Sequence, residues 1–66
     1  MITVNGEALD FHGQTIIEIL VERGLDPARP GIAVAVNGAV VRRAEWPERT
    51  LADNAWVEIV QAKTGG

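Results

Sequence analysis

A chain of 66 residues with a net charge of −3, 47% hydrophobic and 23% charged, reads as one small folded domain rather than a disordered tail. With no cysteine it excludes a disulfide framework, a thiolate metal site and a thiol nucleophile, which fits a reducing cytoplasm. Five arginines and one lysine, adjacent only at Arg42-Arg43, give no basic stripe for nucleic acid, and the longest apolar run, Ile32 to Val36, is far short of the roughly 20 residues of a membrane span. At this size folding buries only about 60% of the surface of the unfolded chain, enough for one core and little else. No secretory leader precedes the first strand-like run, so a soluble cytoplasmic protein is expected.

Met1 to Val4 and Glu7 to Phe11 flank Asn5-Gly6, the strongest short hairpin signal, because a type I′ turn needs positive φ at both central residues. The two-residue loop sets Val4 opposite Glu7 and Ile2 opposite Leu9, so Ile2, Val4, Leu9 and Phe11 form one apolar face. After Gly13 the period lengthens to that of a helix, predicted from about Ile16 to Arg23, with Ile16, Ile19, Leu20 and Arg23 along one side and Ile17 and Val21 widening the stripe. Thr15 to Glu18 reads as a capping box, Gly24 suits the left-handed position after the helix, and Leu25 folds back on Leu20. The prolines of Asp26 to Gly31 make a stiff connector.

A second hairpin is predicted around Asn37-Gly38, from Ile32 to Val36 and from Ala39 to Arg42. Alternation puts Ile32, Val34, Val36 and Val41 on one side and Ala33, Ala35 and Val40 on the other; the larger set belongs inside. Ala44 to Leu51 lacks a period and is expected to be a loop with a short 3₁₀ turn, pinned by Trp46 and Leu51. Asp53-Asn54 turns the chain into a last strand, Trp56 to Val60. Because burying Glu58 is costly, Val57 and Ile59 point inward and Trp56 and Val60 outward.

That strand gives way to Lys63-Thr64-Gly65-Gly66. Residues 1–62 form the domain and 63–66 a flexible tail. Two glycines can enter a slot too narrow for a side chain, and a terminal carboxylate on such a thread is an ionised oxygen nucleophile with the least possible crowding. Paired terminal glycines arise by chance in about one chain in 200, so the tail alone assigns no function. Elsewhere the side chains carry little chemistry. His12 has only Asp10 nearby, too few groups for a metal site. Arg42-Arg43 reads either as a contact for an acidic partner or as a solvated strand end. Trp46 reads as a core plug, and Trp56 as either covered by a loop or part of an interface.

Strand, strand, helix, strand, strand, strand in so short a chain is an α+β plan, a mixed sheet of about five strands with one helix across one face. The chain resembles the ThiS family of small thiamin sulfur carriers, which have the ubiquitin-like β-grasp fold. The resemblance runs along the whole length, through Ile2 to Glu7, Thr15, Val34 to Gly38, Val40-Val41, Arg43, Glu45-Trp46, Thr50 to Asp53, Val57 to Ala62 and Gly65-Gly66. Asp53-Asn54-Ala55 departs from the usual Asp-Gly-Asp, and asparagine keeps that turn open to positive φ.

The resemblance implies a carrier rather than an enzyme, binding no cofactor or metal itself. It implies that an E1-like adenylating enzyme uses ATP and magnesium to activate the Gly66 carboxylate. A persulfide-forming donor protein then supplies sulfur, and thiazole synthase receives it from the thiocarboxylate. Gly65 and Gly66 would thread into the partner. The outward set Ala33, Ala35, Val40, Trp56 and Val60 would dock the domain, since a contiguous apolar patch usually marks a binding site. A molybdopterin-type carrier and a ubiquitin-like modifier or interaction module are the alternatives. No nucleic acid or membrane partner is implied.

Overall fold

The computed structural model describes residues 1–11 and 13–62; His12 and the tail, 63–66, lie outside it. Strand β1 (Ile2–Val4) turns through Asn5 (φ 50°) and Gly6 (φ 83°) into β2 (Glu7–Leu9), with Val4 opposite Glu7 and Ile2 opposite Leu9. Helix α1 covers Ile16–Glu22. Strands β3 (Ile32–Val36) and β4 (Ala39–Val41) form the second hairpin, through Asn37 (φ 51°) and Gly38 (φ 84°). A 3₁₀ turn follows at Arg43–Glu45, and β5 is Trp56–Gln61. The sheet order is β2-β1-β5-β3-β4, with β5 parallel to β1 and antiparallel to β3. This is the β-grasp arrangement.

The helix ends are built by local chemistry. The Glu18 N–H donates to Thr15 Oγ1 at 3.3 Å and the Thr15 N–H to Glu18 Oε1 at 2.9 Å, completing the capping box. At the other end the Gly24 N–H donates to the Val21 carbonyl and the Leu25 N–H to the Leu20 carbonyl, each at 2.9 Å. With Gly24 at φ 79°, that is the Schellman pair. Ile16, Ile19 and Leu20 are buried against the inner face of the sheet, where Ile2, Val4, Val34, Val36 and Val57 meet them. Trp46 and Leu51 close the core from the loop as expected, and the Trp46 indole donates from Nε1 to the Val41 carbonyl at 3.0 Å.

The buried stripe of α1 is narrower than its sequence suggests. Val21 is 58% exposed rather than part of the stripe, because a seven-residue helix rests on the sheet only through Ile16, Ile19 and Leu20, with Ile17 at the margin. Arg23 is the C-cap rather than a helix residue, and it leaves the apolar side to pair with Glu7 at 3.0 Å. Arg42 and Arg43 are both exposed, but Arg43 is more than a solvated strand end. Its guanidinium donates to the carbonyls of Pro27 and Arg29 and lies 4.5 Å over the Trp46 ring.

Candidate functional site

Two asparagines hold β5 in place, and neither role is local. Asn5 needs positive φ for its turn, and its side chain also accepts from the Ile59 N–H (2.7 Å) and donates to the Ile59 carbonyl (3.1 Å). Asn37 does the same work at the start of the strand, where its Oδ1 accepts from the Trp56 N–H at 2.8 Å. The turn at Asn54 (φ 65°) is tied to β1 by its N–H to the Met1 carbonyl at 2.7 Å. With both ends and both edges fixed, alternation along β5 is enforced. Val57 is buried and Ile59 half-buried against the core, while Trp56, Glu58 and Val60 stand on the outer face.

The register brings the outward residues of three strands together. Ala35 lies between Val40 of β4 and Glu58 of β5, and Ala33 lies opposite Val60. The middle strand therefore contributes two methyl groups as a floor, and Val40 (78% exposed) and Val60 (63% exposed) rise beside it. The result is a shallow depression of about 170 Å³ lined by Ala33, Ala35, Val40, Val60 and the Glu58 side. Trp56 does not join it. It is on the same face of β5 but beyond Glu58, opposite Thr3 of β1, and it stays 57% exposed. Four of the five outward residues thus share one surface, and the fifth stands apart across a carboxylate.

The depression lies directly before the tail. Past the Ile32–Gln61 pair, the Ala62 N–H donates to the Gly31 carbonyl at 2.7 Å, so the strand pairing reaches Ala62. Gly65 and Gly66 lie outside the described residues, as do Lys63 and His12. A larger cleft of about 500 Å³ opens between the first hairpin and the end of α1, lined by Glu7, Leu9, Asp10, Phe11, Glu22 and Arg23. The Glu7–Arg23 pair belongs to it, and it is on the helix side, away from β5's outer residues. Among the described residues no group of three or more His, Cys, Asp or Glu side chains is placed to hold a metal ion, and no helix is long and apolar enough to cross a membrane.

Sequence reasoning missed Gly31, Arg43 and the side-chain role of Asn5. The first two carried only the signal of a proline-bounded loop and a pair of charges. Asn5 was visible as a turn residue, and nothing local shows its reach to Ile59.

Comparison with known proteins agrees with this architecture. The ThiS family model matches residues 1–66. The sulfur carrier protein ThiS of Thermus thermophilus is 36% identical over 66 residues, covering 100% of both chains. The crystal structure of the thiamine biosynthesis protein ThiS from Geobacter metallireducens is similar with a TM-score of 0.75 at 28% identity, over 98% of this chain and 97% of that one. An NMR solution structure of a thiamine biosynthesis protein from the same organism gives 0.78 at 28% identity, over 98% and 86%. With the family match spanning every residue and the strand order and hairpins in place, the chain belongs to the ThiS family.

Proposed function

We propose that the chain carries sulfur for thiamine biosynthesis as a thiocarboxylate formed at Gly66. The observation that carries this reading is the full-length likeness to a sulfur carrier protein, in a sequence whose last strand leads from an apolar surface into Lys63-Thr64-Gly65-Gly66. The carrier's own contribution is presentation. A carboxylate is a poor electrophile, so an E1-like partner holding ATP and magnesium must activate it. One carboxylate oxygen attacks the α-phosphorus, pyrophosphate leaves, and an acyl adenylate remains. The terminal sulfur of a donor protein's persulfide then attacks the acyl carbon and expels AMP, giving an acyl disulfide. A second thiol cleaves that S–S bond, is itself oxidised to a disulfide, and frees the thiocarboxylate. Thiazole synthase accepts the sulfur.

The domain's side chains take no part in these bond changes. Ala33, Ala35, Val40 and Val60 dock the adenylating partner, and Trp56 flanks them across Glu58. Docking this close to the tail raises the effective concentration of the carboxylate at the partner's nucleotide. Gly65 and Gly66 offer no side chain to obstruct a narrow channel.

Intact-mass measurement of the chain isolated from cells tests the reading. A species in which one oxygen is replaced by sulfur, lost on incubation with thiazole synthase, is expected. A chain that never acquires sulfur in the presence of an adenylating enzyme and a persulfide donor would overturn it.

A further inference from the structure

The contact at the root of the tail is made by Gly31, the residue immediately before β3. Gly31 has φ 89°, and its carbonyl accepts the Ala62 N–H at 2.7 Å. A Cβ at this position would stand 3.2 Å from the Ala62 carbonyl oxygen and 3.7 Å from the Ala62 Cβ. At Gly6, Gly13, Gly24 and Gly38 the same atom would meet nothing within 4 Å. The three atoms nearest such a Cβ all belong to Ala62, and φ 89° adds a backbone strain of its own for any L side chain.

The loop that carries Gly31 is braced from the core. Asp26 Oδ1 accepts from the Ala28 N–H at 2.9 Å, and the Asp26 carbonyl accepts from the Arg29 N–H at 3.0 Å. Arg43 then spans the loop from below, donating to the carbonyls of Pro27 and Arg29 while stacked on Trp46, which is 1% exposed. Trp46 and Arg43 thus hold the loop at Pro27 and Arg29, and two residues further along the chain Gly31 bonds Ala62. Most of these loop residues are exposed, so burial of apolar surface does not explain the bracing.

We propose that Gly31, braced by Arg43, is a positioning residue that fixes the direction in which the tail leaves the domain. The proposal rests on the reading that Gly66 is adenylated by a docked partner. Four residues beyond Ala62 reach at most about 14 Å, so a tail drawn out toward a nucleotide has little slack to absorb a turned root. Misplacement at that scale lowers the chemical step far more than it lowers docking.

The test uses the full-length chain with its E1-like adenylating enzyme, ATP and magnesium, reading ATP–pyrophosphate exchange over a range of carrier concentrations. Gly31→Ala should lower turnover at saturating carrier about 10-fold and leave KM within about twofold, because the docking face is unchanged. Amide hydrogen exchange provides a second readout on the free chain. Exchange at Ala62 should quicken about 10-fold or more, while the Trp56 and Ile59 amides, held by Asn37 and Asn5, keep their protection. Arg43→Met retains a stem over Trp46 but no donors and should shift both readouts in the same direction, with Arg43→Lys recovering part of the loss. That pair decides the matter if Gly31→Ala does not fold. Wild-type turnover in a folded Gly31→Ala or Arg43→Met chain, a loss confined to KM, or equal loosening at Ala62, Trp56 and Ile59 would overturn the proposal. A wild-type chain that supports no exchange at all would instead remove the adenylation reading, and this proposal with it.

Discussion

Replacing Val60 by Asp should separate docking from folding. Val60 keeps 63% of its surface exposed, so the free domain loses little by the change. Fully burying a valine stabilises by about 1.5–3 kcal/mol, and scaling by the exposed share leaves about 1–2 kcal/mol available to a partner. An aspartate removes that term and must also be desolvated, which brings the expected loss to about 2–3 kcal/mol, or about 30- to 150-fold in Kd. Against this, the new carboxylate shares the outer face of β5 with Glu58, a like-charge neighbour that costs the free domain less than about 1 kcal/mol. Its Tm should therefore fall by less than about 8 °C. Isothermal titration with the adenylating enzyme reads the first quantity and a thermal melt the second. Val21→Asp is the control, since Val21 is 58% exposed on the helix side. Unchanged affinity in a folded Val60→Asp chain, or an equal loss in Val21→Asp, would refute docking on the outer face.

Deleting Gly66, or adding one residue after it, should abolish adenylation while leaving the circular dichroism spectrum unchanged, and Gly65→Ala should be a poor substrate in the same exchange assay. Trp46→Phe leaves the Val41 carbonyl without its indole donor and a gap under Arg43, so urea unfolding should show a loss of about 2–4 kcal/mol, a large share of the stability of so small a domain. Asn5→Ala should cost about 2–3 kcal/mol by the same measurement, through two lost hydrogen bonds and strain at φ 50°; Asn5→Gly relieves the strain and should recover about 1 kcal/mol of it.

What the sequence revealed divides along the distance over which each feature is encoded. The two Asn-Gly turns, the Thr15–Glu18 box and the Gly24 cap depend on residues within a few positions of one another, and all are present as read. The inward and outward sets of β3 and β5 were legible too, because period-two alternation fixes both faces once one is assigned, by the larger side chains in β3 and by the cost of burying Glu58 in β5. The width of the α1 stripe was not. Val21 is apolar and in phase, but how far a helix sinks depends on the sheet beneath it. The parallel pairing of β1 with β5 was not read either, since hydrophobic period does not specify which strands are neighbours. Arg43 was misread for a related reason: a guanidinium that bonds loop carbonyls 14 and 16 residues away has the same local signature as one in water. The outer face was anticipated as one contiguous apolar set with Glu58 its one charge, and that carboxylate divides Trp56 from the other four.

The strand that carries the tail lies in the middle of the sheet, bonded to β1 on one edge and β3 on the other. Under the proposed function, tension from a partner that draws residues 63–66 into a channel would reach the domain through β5. It therefore loads both ladders in shear, so that many backbone hydrogen bonds must yield at once, along with the side-chain bonds of Asn5 and Asn37. Had the tail continued from the edge strand β2 or β4, the same pull would act on a single row of bonds. A central strand makes the domain a mechanical stop: the thread can be hauled taut without the fold being drawn in after it.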